Sequence, residues 1–169
     1  MFVSPGGGKK LVKVTIQSIP PSGRSVEVVV DPGLLRTRLA DRLDIERFAA
    51  CRAELTAERI DQTVVVRGEI AVDVLFDCSR CAEAVEATLR FLLHMVLLPR
   101  PSRPGPVEDD VDTGYHNGRQ IDLDRLIVDH VALAMPDVLL CDPSCRGLCL
   151  TCGANFNEGP CRCGDERKG

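Results

Sequence analysis

The sequence predicts an α+β fold: an antiparallel β-sheet or partly closed barrel of five or six strands, carrying a C-terminal helix and ending in a cysteine-rich zinc-binding tail. Three observations predict it. Two long segments, Thr63 to Asp77 and Val85 to Leu97, alternate apolar and polar residues with the period of two that belongs to a half-buried strand. Leu123 to Met135 instead repeats its apolar residues at i, i+3, i+4, the helical spacing. Beyond these, Cys141 to Cys163 holds six of the nine cysteines of the chain.

A chain of 169 residues is long enough for one domain with a core plus a small appended module, and too short for two full domains. Residues 1–140 read as the sheet domain with its helices, and 141–169 as the metal-binding tail. The composition is that of a soluble globular protein, with 44% apolar and 27% charged residues. No apolar run approaches the ~18 residues of a membrane helix. MFVSPGGGKK lacks the apolar core of a secretory signal, so a cytoplasmic location without a membrane partner is expected. Tryptophan is absent and aromatics make up 4%, which excludes an aromatic-rich surface for stacking bases. The net charge of −4 argues against nucleic-acid binding by the chain as a whole. Basic and acidic residues nevertheless balance up to Asp77, so a local basic face can exist in the first half.

Taken in order, Lys9 to Ile19 alternates loosely and reads as a strand with Val12, Val14 and Ile16 on one face. Pro20-Pro21-Ser22-Gly23 turns the chain. Val26 to Val30 reads as a second strand, closed by Asp31-Pro32-Gly33. From Leu34 to Phe48, Leu35, Leu39, Leu43 and Phe48 recur near helical spacing, which predicts a short helix. Ala50 to Ile60 alternates again as a strand, with Cys51 as a small buried residue. In the two long strands that follow, Val64, Val66, Gly68, Ile70, Val72, Val74 and Phe76, and then Val85 through Leu97, form the core face. His94 falls on the other, solvent-facing side. Pro99 to Gly118, with Glu108-Asp109-Asp110, reads as a surface loop, and Tyr115 and His116 within it as solvated. Asp122 caps the helix, whose buried face is Leu123, Leu126, Ile127, His130, Val131 and Ala134, and Pro136 ends it.

Cys149-Leu-Thr-Cys152-Gly153 is a turn that places two thiols on one side of a bend, and Cys161-Arg-Cys163 offers a second pair on one side of an extended backbone. Four thiolates at Cys149, Cys152, Cys161 and Cys163 suit a tetrahedral metal, zinc above all. Cys78 and Cys81, between the long strands, make a second set of four with Cys141 and Cys145 if the fold returns the tail to that turn, for one or two zinc ions in all. The pairing stays open, because Cys145 could replace Cys161 or Cys163. Other readings are disulfides, which a reducing cytosol disfavours, a thioredoxin-type redox pair, which needs a C-x-x-C opening a helix, and a structural turn of unliganded thiols.

The order of these pieces, with Ile121-Asp122-Leu123, Leu133-Ala134-Met135-Pro136 and the run Gly147-Leu-Cys149-Leu-Thr-Cys152-Gly-Ala-Asn155-Phe156-Asn157, resembles the cysteine-rich bacterial branch of the YceD family. That family is also called the large ribosomal RNA subunit accumulation protein family. The similarity covers Thr63 to Cys163, with Phe156 where leucine is expected. It implies a non-enzymatic cytoplasmic factor needed for 23S rRNA accumulation and large-subunit assembly, and it carries over no RNA-contacting residue.

From charge alone, Lys9, Lys10, Lys13, Arg36, Arg38, Arg42 and Arg47 are candidate phosphate contacts for ribosomal RNA; a large-subunit ribosomal protein is the alternative partner. No small-molecule substrate is indicated, and the oligomeric state is not encoded in any motif. A second class of function is a zinc-stabilised protein-interaction adaptor unrelated to ribosomes. A third, a hydrolase or thiol oxidoreductase, lacks a nucleophile–base pair: the only histidines are His94, His116 and His130.

Overall fold

The computed structural model describes residues 12–42, 44–98 and 115–164. Its order is β1 (Lys13–Thr15), a 3-10 turn (Ile16–Ser18), β2 (Arg24–Val30), α1 (Pro32–Arg38), β3 (Ile45–Ile60), β4 (Thr63–Asp77), β5 (Ala84–Leu97), β6 (Gln120–Asp122), α2 (Leu123–Ala134) and a second 3-10 turn (Arg162–Gly164). β2, β3, β4 and β5 form an antiparallel sheet in sequence order, and β1 pairs with β6 in a separate two-stranded ribbon. The α+β class is therefore correct, with an open sheet.

The long hairpin β3–β4–β5 follows from alternation. Alternate residues face one side: Leu55, Val66, Ile70, Val72 and Leu93 are buried there, and Val85, Ala87, Leu89 and Met95 half-buried. Each buried aliphatic side chain contributes about 1.5–3 kcal/mol on leaving water. Gly68 lies opposite Leu55, where a Cβ would stand 2.0 Å from the Glu54 carbonyl oxygen, so the strand crossing requires glycine. The other face of the sheet is fastened by charges: Arg47 with Glu86 at 3.2 Å, Arg52 with Asp73 at 3.4 Å, and the close pairs Arg67–Glu58 and Arg90–Glu69. α2 covers the core, burying Leu123, Leu126, Ile127, Val128 and Val131. The Asp122 carboxylate accepts the Arg125 N–H at 3.1 Å and caps the helix, a contact of about 1 kcal/mol.

Several expectations are corrected. The first strand stops at Thr15, because the chain tightens into a 3-10 turn that buries Ile16 and Ile19 three residues apart. The helix expected to reach Phe48 ends at Arg38, and Phe48 already belongs to β3. Register shifts near Ile45–Arg47 and Phe48–Ala50 break the period of two there, leaving buried residues three apart that mimic a helix. On α2, Ala134 is exposed and His130 half-buried, while Asp124 and Val128 are buried. The inward arc is thus rotated toward the N-terminal half of the helix.

Tyr115 and His116 are buried, not solvated. The Tyr115 hydroxyl donates to Asp129 at 3.0 Å, and the His116 ring takes the Gly118 N–H on Nδ1 at 2.9 Å with Nε2 2.9 Å from the Gln62 carbonyl oxygen. The rest of the Pro99–Gly118 loop, up to residue 114, lies outside the described residues, as does Leu43. Cys51 is fully buried, and burial pushes its thiol up to about 12. Among the described residues no helix is long and apolar enough to cross a membrane.

Candidate metal centres

Two groups of four cysteines assemble, Cys78 with Cys81, Cys141 and Cys145, and Cys149 with Cys152, Cys161 and Cys163; within each, the sulfurs lie within 4.8 Å of one another. The first is built where the β4–β5 hairpin turns. Cys78 N–H donates to the Glu83 carbonyl and Ala82 N–H to that of Cys78, with Ala82 in the left-handed region at φ 56°, so the bend is closed by its own backbone. The chain leaving α2 is drawn back to it: Ser79 N–H donates to the Leu139 carbonyl at 2.8 Å, and the Leu139 N–H is 3.3 Å from the Ser79 hydroxyl. That docking brings Cys141 and Cys145 across 60 residues of sequence to Cys81 and Cys78.

The second group sits on a hairpin made by the tail signature. Leu148 and Asn155 form a bridge, Cys149 N–H donates to the Ala154 carbonyl, and Gly153, at φ 74°, permits the turn between. Phe156 N–H closes the base on the Gly147 carbonyl at 2.9 Å. Gly147 is at φ 75° with space for a Cβ only 3.0 Å from the Arg80 carbonyl oxygen, so glycine is required for that close approach.

The donor sets fit a tetrahedral metal. A zinc–sulfur bond of about 2.3 Å implies sulfurs about 3.8 Å apart along a tetrahedron's edge. The Cys78–Cys145 sulfurs are 3.8 Å apart, Cys81–Cys141 3.7 Å and Cys149–Cys161 3.4 Å. All nine cysteines are free thiols rather than disulfides.

Electrostatics agree. At Cys78 burial pushes the thiol up, but the amides of Cys141, Arg80 and Cys81 aimed at its sulfur outweigh that and bring it down to about 6. At Cys149 the amides of Cys152 and Thr151 do the same, again to about 6. Their neighbours resist: Cys141, hydrogen-bonded to Cys145 and desolvated, and Cys163, hydrogen-bonded to Cys152, are both pushed up to about 12. Thiolates crowded this closely ionise together only around a cation, and the amides that surround them are the supporting shell of such a site.

Cys145 therefore stands in the first group and not in place of Cys161 or Cys163. Neither C-x-x-C opens a helix. Sequence reasoning missed the residues that join the two groups. Arg80 donates to the Cys145 carbonyl at 2.8 Å and accepts the Leu148 N–H at 3.2 Å on its own carbonyl. Asn157 donates to the Cys145 sulfur at 3.3 Å, and Asn155 donates to Glu83 at 2.8 Å. The sequence offered only the Asn155-Phe156-Asn157 triplet as a signal, and asparagines are common in ordinary turns. His94 is exposed on β5, and His130 keeps Nε2 3.0 Å from the Leu92 carbonyl oxygen.

Of the candidate phosphate contacts, Lys9 and Lys10 lie outside the described residues, and Lys13 is exposed on β1. Arg36 donates to the Glu46 carbonyl at 2.6 Å. Arg38 pairs with Asp129 at 2.9 Å, Arg42 with Asp44 at 2.8 Å and Arg47 with Glu86. Arg38, Arg42 and Arg47 are thus each paired with a separate carboxylate.

A family model described as large ribosomal RNA subunit accumulation protein YceD matches residues 66–168, a span that contains both cysteine groups. The chain belongs to the YceD family. Among curated relatives, an uncharacterised protein of Mycobacterium leprae is 27% identical over 90% of this chain and 72% of its own length. Two chloroplastic proteins named large ribosomal RNA subunit accumulation protein YCED homolog 1 also match. The one from Zea mays is 44% identical over 76% of this chain, and the one from Arabidopsis thaliana 26% identical over 88%. The chain spans about half the length of these plant YceD proteins, 49% and 46%. No solved structure matches.

Proposed function

We propose that this YceD protein is a non-enzymatic cytoplasmic factor for the accumulation of large-subunit ribosomal RNA, 23S in bacteria, that acts during assembly of the large ribosomal subunit by binding ribosomal RNA or a large-subunit protein. The family match over residues 66–168 carries the reading. Zinc in both four-cysteine groups is its structural support: Cys78, Cys81, Cys141 and Cys145 hold one ion that ties the described part of the tail to the sheet, and Cys149, Cys152, Cys161 and Cys163 hold the other. Bound zinc supplies cross-linking, fastening short loops that have little core of their own. Because Arg38, Arg42 and Arg47 already face carboxylates and Arg36 donates to the Glu46 carbonyl, Lys13 is the strongest described member of the proposed phosphate-contact set.

The test is deletion of the gene with quantification of 23S rRNA against 16S rRNA and of free subunits on a sucrose gradient. A fall in 23S rRNA, restored by the wild-type gene, is expected. Unchanged rRNA, together with recovery of the tagged protein on RNA polymerase in place of large-subunit precursors, would reject the reading in favour of a transcription-related adaptor.

A further inference from the structure

Whether a cation can meet a phosphate depends on what already holds it. Seven of the described arginines, Arg38, Arg42, Arg47, Arg52, Arg67, Arg90 and Arg125, are paired with carboxylates. The charged face of the sheet is consequently self-neutralised.

One corner differs. Around the 3-10 turn Ile16–Ser18, Arg24 reaches the Ser18 hydroxyl at 3.1 Å, Arg59 donates to the Ile19 carbonyl at 3.2 Å, and Ile16 N–H is held by the carbonyl of Arg119 at 2.9 Å. Lys13 precedes the turn on β1. Among the described residues none of these four cations has a carboxylate within ion-pair distance, and Lys13, Arg24 and Arg119 are exposed. Between β1 and β2 lies a cavity of about 440 Å³ lined by Lys13, Thr15, Ser18, Arg24, Ser25 and Glu27, with two apolar side chains. Two cations and the hydroxyls of Thr15 and Ser25 around one open cleft are the donor set that phosphate oxygens accept from, and Glu27 is the single opposing charge in the lining.

We infer that this corner binds the phosphate backbone of RNA, with Lys13 and Arg24 as the contacting cations and the hydroxyls of Thr15 and Ser25 as neutral donors, while the Ser18 hydroxyl, donating to the Thr15 carbonyl at 2.7 Å, positions Arg24. The inference rests on the ribosomal-RNA reading above and moves the contact from the Arg36–Arg47 segment to the junction of the two sheets. With few aromatics available for stacking, the recognition is of backbone and not of base. Lys9 and Lys10 precede the corner in sequence.

The experiment is fluorescence anisotropy with a labelled oligouridylate of ~20 nucleotides, titrated between about 50 and about 200 mM salt. Wild-type protein, Lys13→Ala/Arg24→Ala, Glu27→Gln and the control Arg47→Ala/Arg52→Ala are compared, each checked for an unchanged thermal melt. The first variant should lose about tenfold or more in affinity, and its slope of log affinity against log salt should flatten by about 1.4, since each of the two single-strand phosphate contacts it removes contributes about 0.7. Glu27→Gln should bind more tightly than wild type, a gain that damage to the fold would not produce. The control removes the same two charges elsewhere and should bind as wild type does.

Equal losses in the two double variants would overturn the inference, since net charge alone would then explain binding. Absence of RNA binding by wild type, with co-sedimentation on large-subunit precursors intact, would overturn it while leaving the assembly role to a protein contact. Absence of both would remove the assembly reading as well.

Discussion

The side-chain amide of Asn157 donates to the sulfur of Cys145 at 3.3 Å, while its oxygen accepts the Arg146 N–H at 2.8 Å. One side chain thus touches a thiol of the first cysteine group and fixes the base of the hairpin that carries the second. The N–H stabilises the thiolate and draws Cys145 below the usual thiol range, against the desolvation that opposes it. Replacement of a supporting residue of this kind costs about 10–100-fold in metal affinity. Asn157→Ala should therefore lower affinity for one of two zinc ions by that factor, read by competition with a chromophoric chelator, while far-UV circular dichroism stays unchanged. Two ions released as in wild type would show that the contact has no part in holding metal.

The sheet and the second cysteine group should respond separately. Cys149→Ser and Cys152→Ser leave the first group and the β3–β4–β5 hairpin untouched, so elemental analysis should fall from about two zinc per chain to about one, with amide exchange at β3 and β4 as slow as in wild type. Cys78→Ser should do more. It breaks the group that returns the tail to the hairpin turn, and the hairpin beyond Gly147 rests on that turn through Arg80. Zinc content should drop below one and exchange should quicken across residues 139–163. Whole-protein unfolding in Cys149→Ser would show instead that the tail is integral to the core.

The long strands β4 and β5 could be read from the sequence because one buried face and one wet face write a strict period of two. The helix α2 was legible for the same kind of reason, with its cap at Asp122 and its stop at Pro136. β6 was not, since three residues pairing Ile121 with Val14 across more than a hundred residues leave no local pattern. The start of β3 was hidden by its bulges, which shift Phe48 and Cys51 to helical spacing. Two sets of four thiols were legible as chemistry and spacing, but the place of Cys145 was not, because it depends on the chain after α2 returning to the Cys78–Cys81 turn. The latch formed by Arg80 and Asn157 was not, because it depends on the backbone of one segment meeting the side chain of another.

Gly68 provides a test of the sheet. Its missing Cβ is what lets β4 pass the Glu54 carbonyl, and an added methyl would meet that backbone oxygen, which cannot rotate away. Gly68→Ala should destabilise by about 1–3 kcal/mol, the range for overpacking a close contact. Denaturant unfolding should show a lower midpoint at unchanged slope, without loss of zinc from the folded protein. A midpoint equal to wild type would mean that β3 and β4 separate locally at little cost.

Asp124 gives the pH dependence its sign. It is buried in the first turn of α2 and accepts the Val12 N–H at 2.5 Å, yet burial pushes its carboxyl above the ordinary 3.8, with Asp122 adding to the rise and the Val12 N–H opposing it. A carboxyl raised in the folded state binds a proton more tightly there than in the unfolded chain. Its contribution to stability is fully present below 3.8 and is lost as pH rises through the folded value. Asp124→Asn keeps an acceptor for Val12 and removes the titration, so it should flatten this part of the stability profile and be neutral or stabilising at pH 7. Asp124→Ala removes the acceptor too and should cost about 1–2 kcal/mol at every pH, by leaving the Val12 N–H without its partner. Urea unfolding of the three proteins between pH 4 and pH 7 separates the effects: parallel profiles for wild type and Asp124→Asn would show that the carboxyl titrates alike in the folded and unfolded chain.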